Sequence, residues 1–500
     1  MWRQGARRAL PSLVRGVRSA STAAAVAPAA PAAQSSGGWL SGLLGGAGSG
    51  VPMTDVLPGW AEPARREPPA APPKTELTTL PNGFRVASED SWGPTACTAL
   101  VVGSGSVYET PAVSGISHIL EYLAFKATTN RTHFRIVNES MGFGGNMVAA
   151  ASREQMYYSI DCLRTHVPEA LELLCDCVLN PRFADWEVAD AMKRLRGDLE
   201  NMKKNPQVML TEALQSAAYQ GALGWPLIAS ENSLQSITSK DLHDFVARNY
   251  TADRMVLSVA GADHQEALKI VEPMLSTVAA GTKPSPPAST YVGGEARIPT
   301  TDPMTHAILA FDSPGGWQDL KAASTMTVLL YMMGGGGSFS SGGPGKGMHS
   351  RLYLNVLTRY SWVHNFSAVS TAFDDRSLTG VYGAAPPEHA GQLVDIMVKE
   401  LQDLATKVSE EELNRAKTAS VASVLMTLEQ KAVVAEDIGK QILTYGHRKS
   451  ANEFCTSLMG VTDKDITGMV SSMLKQPPCL VTMGQVSGIP RYTDVARRFA

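Results

Sequence analysis

His118, Glu121 and Tyr122 stand one substitution away from a zinc-binding peptidase motif. In the inverted motif H-x-x-E-H, the two histidines bind zinc and the glutamate activates a water molecule. With about 3.6 residues per helical turn, positions 118, 121 and 122 share one helical face, so the spacing suits such a site. The phenol of Tyr122 is a poor zinc ligand at neutral pH, because its ordinary pKa is about 10. The pattern therefore predicts either a metal site that has lost an imidazole or a core helix with a satisfied histidine.

The residues around this motif predict the helix that must carry it. Apolar side chains recur there at helical spacing: Ile116, Ile119, Leu120 and Leu123. Two strand-like runs, 77–88 and 97–107, precede this helix and are separated by a break that contains glycine and proline. The folded chain is thus expected to open with two strands followed by the motif helix.

Two segments of the chain repeat, 233–246 and 457–470. Both contain Thr-x-x-Asp, in which the threonine can cap a helix N-terminus and the carboxylate lies near the positive end of the helix dipole. The similarity extends to two helical patterns and two strand-like segments: 167–178 and 388–398, Met255–Ala260 and 480–484. A duplicated domain is the simplest explanation of these matches.

The domain boundary is predicted in 281–300, which is rich in proline, glycine, serine and threonine. We therefore expect an N-terminal domain over 75–281, a linker over 282–301 and a C-terminal domain over 302–500. The second domain opens with a strand-like run at 306–312. Since neither half alternates strictly between strands and helices, the expected class is α+β. Each of the two homologous domains is expected to be a largely antiparallel sheet with helices packed on one face.

Length and composition limit the class of protein. Five hundred residues exceed one ordinary core and favour two or more domains. A formal net charge of −3 and 44% hydrophobic residues are typical of a globular chain and argue against nucleic-acid binding. No run reaches the ~18 apolar residues of a membrane span, so we expect no direct span. The six cysteines form no C-x-x-C pair, which favours buried free thiols in a reducing compartment.

The N-terminal residues have the character of a targeting sequence. They include five early arginines, with apolar residues beside them on a helical projection, and no acidic residue before Asp55. Such an amphipathic, arginine-rich start is typical of an organelle transit peptide, and its alternative is a basic disordered arm. We expect a transit peptide and leader over 1–54 and a Pro/Ala-rich linker over 55–74. Composition does not distinguish a mitochondrial from a chloroplast transit peptide.

Eight of the fourteen residues in the segment 334–347 are glycines. Ordering so much glycine costs backbone entropy, so the segment needs an explanation. A Walker A phosphate loop requires G-x-x-x-x-G-K-[ST], but Lys346 is followed by Gly347, and Ser340 stands where the first glycine should be. Nucleotide binding is therefore disfavoured, and a flexible surface insertion remains one interpretation.

Residues 114–133 (SGISHILEYLAFKATTNRTH) and 142–154 (GFGGNMVAAASRE) resemble the first domain of the pitrilysin and mitochondrial processing peptidase superfamily. The resemblance places a third zinc ligand, a glutamate in active members, at Asp198. Only His118 then remains of the standard ligand set, whereas catalytic zinc normally uses three protein ligands. The resemblance implies an α+β member with a degenerate motif, no catalytic residue and no bound metal. That degenerate motif comprises four positions: His118, Glu121, Tyr122 and Asp198.

The glycine-rich segment and residues 348–357 (MHSRLYLNVL) resemble the α subunits of the mitochondrial processing peptidase family, and the likeness covers about 75–490. It implies a non-catalytic, substrate-recognition subunit of the mitochondrial matrix. A partner β subunit would hold the zinc, and the pair would remove presequence peptides from imported precursors. A glycine-rich segment suits this role, because it can approach an extended peptide closely. The implied substrate-binding residues are Gly334, Gly335, Gly336, Gly337, Ser338, Phe339, Gly342, Gly343, Gly345, Lys346 and Gly347.

Two alternatives remain open from the same resemblance. Homologous pairs serve as core subunits of the cytochrome bc1 complex on the matrix side of the inner membrane. The chain is alternatively a purely structural core subunit, with other bc1 subunits as partners, or a protein with both roles. An independently active zinc peptidase is the second alternative. Because presequences are basic, Glu121, Asp374 and Asp375 are candidate peptide contacts, although the last two equally suit a solvated face.

Overall fold

The computed structural model describes residues 73–282, 287–337 and 347–499. The predicted leader and nearly all of the predicted linker over 55–74 lie outside these residues, as does 338–346 of the glycine-rich segment. Within the described ranges, no helix is long and apolar enough to cross a membrane.

The described residues contain fourteen β-strands, most of which belong to two sheets. The strands of the first half are β1 (Thr75–Thr79), β2 (Arg85–Glu89), β3 (Thr95–Val102), β4 (Asn146–Ala151), β5 (Met156–Leu163), β6 (Tyr219–Gln220) and β7 (Met255–Ala260). Those that follow are β8 (Thr290–Tyr291), β9 (Gly294–Pro299), β10 (Thr305–Pro314), β11 (Gly335–Gly337), β12 (Asn365–Ala372), β13 (Arg376–Ala385) and β14 (Cys479–Gly484).

Helices connect and cover these strands. In the first half they are α1 (Ile116–Leu123), α2 (His133–Gly142), α3 (Val167–Leu179), α4 (Asp185–Met202), α5 (Pro206–Ala218), α6 (Ser233–Ser236), α7 (Ser239–Asn249) and α8 (His264–Leu275). In the second half they are α9 (Leu320–Met333), α10 (Ala390–Thr406), α11 (Glu410–Thr427), α12 (Lys431–Tyr445), α13 (Ala451–Gly460), α14 (Asp463–Leu474) and α15 (Tyr492–Ala496). Single 3₁₀ turns and one π-helical turn, Tyr353–Leu357, complete the described helical structure.

Two six-stranded sheets organise the chain. The first has the order β1-β2-β7-β3-β5-β4, and the second has the order β11-β12-β13-β10-β14-β9. Neighbouring strands are antiparallel except for the pairs β2–β7 and β9–β14, which are parallel. β6 and β8 form a separate two-stranded ribbon. The predicted α+β class, with two homologous and largely antiparallel sheets, is confirmed.

The predicted repeat corresponds to a repeated helix and strand. α7 and α14 each begin with a capping box, formed by Thr238 with Asp241 and by Thr462 with Asp465. In each box the threonine hydroxyl accepts the third N–H of the helix and the aspartate accepts the N–H of the threonine. The next strand in each case, β7 or β14, is fully buried. The two similar sequence segments therefore form the same local structure in each half of the chain.

Each sheet is covered on both faces, and one of the covers comes from the other half of the chain. Helices of its own half pack on one face of each sheet. On the opposite face of the first sheet, Ile438 of α12 packs among residues that include Val101. On the opposite face of the second sheet, Leu214 of α5 packs among residues that include Val481. The two halves therefore exchange one helix each, which the sequence pattern did not predict.

Two boundary predictions are corrected by the strand pairing. The run 77–88 forms two antiparallel strands, β1 and β2, joined by a turn in which Gly83 has a φ of 90°. The predicted linker 282–301 contains β9, which pairs in parallel with β14 and completes the second sheet. A short strand beside proline-rich sequence has too little alternation to be recognised locally, and only its pairing identifies it.

The cysteines are free thiols, as predicted. Five are buried and Cys455 is half-buried. Burial raises the pKa of the Cys175 thiol to about 12, so this side chain stays protonated. A protonated, buried thiol behaves as a small apolar core residue.

Candidate functional site

Helix α1 carries the degenerate motif, and its first turn is fixed by contacts from two loops. Gly115 precedes the helix with a φ of 87°, and a Cβ there would lie 2.5 Å from the Ala229 Cα. The buried Glu109 carboxylate accepts the N–H of Gly115 at 2.6 Å and that of Ser117 at 2.8 Å. These donors have no partner within the helix, so the carboxylate stabilises its N-terminus. Burial raises the pKa of Glu109 to about 7.

The imidazole of His118 is buried and makes a structural hydrogen bond. The residue is 5% exposed, and its Nδ1 accepts the Ala229 N–H at 3.2 Å. Burial lowers the pKa of His118 to about 4, although the charge of Asp198 opposes the shift. The ring is therefore neutral at physiological pH, with its proton on Nε2. Through this hydrogen bond, His118 links helix α1 to the loop that contains Ala229.

Tyr122 and Asp198 join helices α1 and α4. The Tyr122 hydroxyl donates to Asp198 Oδ2 at 2.9 Å. Burial, the hydrogen bond and the charge of Asp198 all raise the pKa of Tyr122, so the phenol stays protonated. Its ring lies edge-on to the His118 imidazole, with 5.4 Å between the ring centroids. The fold thus brings together Tyr122, which the motif spacing singled out, and Asp198, which the family resemblance implied, but it does so as a hydrogen-bonded contact between helices.

Glu121 faces the end of an edge strand. Its Oε2 accepts the N–H of Ala151, the last residue of β4, at 3.0 Å. Burial raises the pKa of Glu121, and this hydrogen bond opposes the shift. The carboxylate that activates water in H-x-x-E-H peptidases here satisfies a backbone donor.

The side chains at this site do not fit a catalytic zinc ion. Tyr122 presents a protonated hydroxyl, and the Asp198 carboxylate is engaged by it. In the part of the chain that the structure describes, no three His, Cys, Asp or Glu side chains are grouped closely enough to hold a metal ion. Catalytic zinc uses three protein ligands and one open position. In this arrangement, Tyr122 and Asp198 do not supply the further ligands that a catalytic zinc ion would need beside His118.

Residues Gly335–Gly337 of the glycine-rich segment form β11, which pairs with β12. Gly335 lies opposite Ser367 with a φ of 94°, and a Cβ there would lie 2.1 Å from the Phe366 carbonyl oxygen. Glycine alone fits at that position. The Gly335 N–H also donates to Ser350 Oγ at 3.1 Å. Six predicted substrate-binding residues lie outside the described residues: Ser338, Phe339, Gly342, Gly343, Gly345 and Lys346.

Asp374 and Asp375 lie in the turn between β12 and β13. The Asp374 N–H donates to both Glu154 carboxylate oxygens, at 3.1 and 3.2 Å, and the Thr444 hydroxyl donates to Asp374 Oδ1 at 3.4 Å. Asp375 pairs with Arg376 at 3.1 Å. The Glu154 contact joins the β4–β5 turn to the β12–β13 turn, so matching hairpins of the two halves meet. Sequence reasoning missed Glu154, because its partner lies 220 residues away and no local signal marks it.

A cavity of about 590 Å³ lies at this junction of the two halves. Its charged lining residues are Glu154, Asp374, Glu436, Asp437, Lys440 and Lys449, and the aromatic rings of Trp317 and Tyr445 also line it. Glu436 is paired with Lys440, and carboxylates outnumber ammonium groups by four to two. A net acidic lining beside aromatic and apolar walls suits a basic segment that also carries apolar side chains. Because residues from both halves form this cavity, no single stretch of sequence predicts it.

The fold and the altered motif define a class of protein. Residues 85–231 match the insulinase family (peptidase family M16), and residues 236–420 match the peptidase M16 inactive domain. The chain belongs to the peptidase M16 family. Within that family it is 45% identical to the mitochondrial-processing peptidase subunit alpha of Solanum tuberosum, over 93% of each chain. It is 32% identical to the mitochondrial-processing peptidase subunit alpha of Homo sapiens, over 90% of each chain.

Two further comparisons place the chain among its relatives. It is 32% identical to the mitochondrial-processing peptidase subunit beta of Dictyostelium discoideum, over 85% of this chain and 91% of that protein. A chain of Complex III2 from Candida albicans, in a structure with Inz-5 bound, matches 85% of this chain and 99% of its own length. The TM-score is 0.74 and the identity is 20%, so this second match shows a shared fold.

Proposed function

We propose that this chain is the non-catalytic, substrate-recognition α subunit of a mitochondrial processing peptidase. It pairs in the mitochondrial matrix with a zinc-bearing β subunit, and the pair removes presequences from imported precursor proteins. The names of the α-subunit relatives support the mitochondrial location and the subunit type. The β-subunit relative supports a partner of the same fold.

The observation that carries this proposal is the hydrogen bond between Tyr122 and Asp198. It joins the two positions at which the motif needs its second and third zinc ligands, while the helices that position them are retained. A member of a peptidase family that keeps these helices but lacks the zinc ligands is suited to assist a partner that supplies the metal.

Peptide recognition is supported by two features. The glycine-rich segment 334–347 offers backbone groups that can approach an extended chain closely. The acidic cavity between the halves attracts the basic side chains of presequences. We therefore assign presequence contacts to the segment and to the carboxylates near Asp374, whereas Glu121 is engaged by the Ala151 N–H.

Reconstitution tests the proposal. The chain, the β subunit and the assembled pair are each assayed on a fluorescent presequence peptide, and we expect cleavage by the pair alone. Deleting 342–347 should lower kcat/KM of the pair at least ten-fold while gel filtration shows unchanged assembly, because positioning of the scissile bond suffers. Cleavage by the isolated chain at the rate of the pair would contradict the proposal.

A structural core subunit of respiratory complex III is the second candidate, since the Complex III2 match shares the fold. The two roles differ in what co-purifies with the chain: a soluble heterodimer in one case, a membrane complex with bc1 subunits in the other. Crosslinking of a presequence peptide to the membrane complex would identify a protein with both roles. An unchanged kcat/KM in the pair that lacks residues 342–347 would favour the structural role.

A further inference from the structure

The cavity between the two halves contains a cation that belongs to the chain itself. Lys449 lies between α12 and α13, and its ammonium nitrogen lies 3.7 Å from the centroid of the Tyr445 ring. Both residues line the cavity. Because the face of an aromatic ring is electron-rich, it attracts an ammonium or a guanidinium group, and the contact is a cation–π interaction. The aromatic wall of the cavity therefore already holds one positive group.

The turn after α12 places Lys449 over this ring. Gly446 ends α12 with a φ of 77°, a conformation that favours glycine. The Lys449 N–H then donates to Gln441 Oε1 at 2.7 Å, about one helical turn before Tyr445. Arg448, the preceding residue, pairs with one carboxylate from each half of the chain. These contacts hold the backbone, whereas the flexible four-carbon side chain of Lys449 can leave the ring without disturbing the turn.

The ring of Tyr445 lies in the negative field of the cavity. Its hydroxyl donates to the Trp317 carbonyl oxygen, which fixes the ring beside that residue. Burial raises the pKa of Tyr445, and the charges of Asp374, Asp437 and Asp319 add to the shift. A cation over this ring is therefore stabilised both by the ring face and by the surrounding carboxylates.

The other lysine of the cavity is placed differently. Lys440 pairs with Glu436, one turn earlier on α12, so it neutralises a carboxylate and leaves the aromatic wall to Lys449. The lysine side chain of an ion pair of this kind is half exposed and contributes little to stability. Lys449 is thus the cation of the lining that lies on an aromatic ring.

A basic side chain of a bound peptide would use the same position. The guanidinium group of arginine stacks on aromatic faces and is more weakly hydrated than an ammonium group, so it competes well with a lysine. Two cations at one ring face would repel each other, and Lys449 would have to move away. The affinity of the peptide is then lower by the contact that Lys449 gives up.

We propose that Lys449 is an intramolecular competitor for a cation-binding position at Tyr445, and that a basic side chain of the peptide binds there by displacing it. The inference rests on the proposed function, because it concerns the affinity of the cavity for presequences. Lys449 is a specificity-determining residue in this account. It weakens the binding of segments that place a cation on the ring, which helps a cleaved presequence to leave, and it has no such effect on neutral segments.

Removing the ammonium group tests the competition. The protein is the full chain assembled with the zinc-bearing β subunit, kept in EDTA so that the peptide stays intact. The probe is a fluorescently labelled synthetic presequence peptide that contains arginine. Fluorescence anisotropy should give a Kd about three-fold lower for Lys449→Gln than for the wild type. Lys464→Gln, the same change at an exposed lysine outside the cavity lining, should leave the Kd unchanged.

Changing the ring separates the aromatic position from the net charge of the cavity. Tyr445→Phe keeps the ring, so adding Lys449→Gln to it should still lower the Kd. Tyr445→Leu removes the ring from competitor and peptide alike, so the second substitution should then have a clearly smaller effect. An equal gain in both backgrounds would mean that Lys449 acts through net charge alone, and it would overturn the proposed position.

A purely structural role of Lys449 predicts the opposite result. Loss of a structural contact would lower the Tm or weaken peptide binding, whereas displacement of a competitor tightens it. Lys449→Met keeps an aliphatic side chain against the ring and should reproduce the lower Kd of Lys449→Gln. Circular dichroism and gel filtration confirm that each variant is folded and assembled.

The outcomes separate this inference from the proposed function. A wild-type pair that binds the arginine peptide, with Lys449→Gln and Lys449→Met binding it no more tightly, would refute the inference while the proposed function stands. The same peptide with glutamine in place of arginine should show no gain in either variant, and an equal gain would also refute it. A wild-type pair that neither binds nor cleaves the peptide would overturn the proposed function and the inference with it.

Discussion

At the degenerate motif, the Tyr122 phenol donates a proton where an imidazole would offer a lone pair to zinc. Its acceptor is Asp198, at the position where the family resemblance implies a third zinc ligand, so the residues at these two positions complement each other. Both side chains are half-buried, and the hydrogen bond gives the hydroxyl and the carboxylate a partner that each would otherwise lack. Because the helix geometry is retained, the ligand chemistry can be tested by restoring the side chains.

Restoring both side chains is expected to create a zinc site. Tyr122→His with Asp198→Glu supplies three ligands together with His118, and we expect about one zinc per chain after dialysis. Elemental analysis measures the metal content. The wild-type chain and a Tyr122→Phe, Asp198→Asn control should both hold far less than one zinc per chain. Tightly retained stoichiometric zinc in the wild-type chain would contradict our account of the motif.

His118 is expected to make the fold sensitive to acid. Its pKa is about 4 in the folded chain against an ordinary 6.5, so the unfolded chain binds the proton more tightly. The stability contributed by the neutral ring is full above the ordinary pKa and is lost as the pH falls toward the folded value. Lowering the pH from about 7 to about 5.5 should therefore cost about 1 kcal/mol through this residue.

His118→Asn separates this titration from the structural role of the side chain. The Asn Oδ1 can accept the Ala229 N–H in place of Nδ1, but it does not titrate. Urea unfolding at both pH values should show a smaller acid-induced loss of stability in the variant. The same loss in both proteins would mean that other groups dominate the acid response.

Helices α5 and α12 join the two halves, because each packs on the sheet of the other half. α12 lies on the first sheet although it follows all but one strand of the second. Arg448, just beyond α12, pairs with Glu89 of β2 and with Asp437, and adds a buried ionic contact to this apolar interface. The face of α12 that meets the first sheet should therefore matter more to stability than its outer face.

Truncating the buried face of α12 is expected to destabilise the protein strongly. Ile438 is fully buried against the first sheet, so Ile438→Ala should lower the free energy of unfolding by about 2–5 kcal/mol. Lys440 on the same helix is half exposed and pairs with Glu436, so Lys440→Ala should cost about 0.5 kcal/mol or less. Denaturant unfolding compares the two, and similar losses would argue against the exchanged packing.

Across the whole molecule, helix exchange ties the folding of the two halves to each other. Without the second half, the first sheet would expose the apolar face on which α12 packs, and the converse holds for α5. Uncovered apolar surface of this kind promotes aggregation. The halves should consequently behave as one folding unit, although each has its own sheet.

Separate expression of the halves tests this coupling. Fragments 73–282 and 287–499 should each aggregate or remain partly folded when produced alone, because each lacks one covering helix. Produced together, they should assemble into a soluble complex with the circular dichroism spectrum of the intact chain. A monodisperse, cooperatively unfolding 73–282 fragment would show instead that α12 is dispensable for the first sheet.

The sequence by itself determined the features that depend on neighbours along the chain. Thr238 and Thr462 begin helices because the capping box is complete within four residues. The helical face shared by His118 and Tyr122 follows from periodicity alone. The same local patterns predict the duplicated α+β class, and they place a tyrosine where the H-x-x-E-H motif has its second histidine.

The tertiary structure decided the features that join residues far apart. The partners of Glu154 and Ile438, the strand β9 inside a predicted linker and the pairing of Gly335–Gly337 with β12 are all of this kind. Each depends on which surfaces remain uncovered after the sheets form, and local propensity carries no information about that. The sequence could therefore predict an incomplete zinc motif, while only the fold shows the hydrogen bond between helices that joins Tyr122 to Asp198.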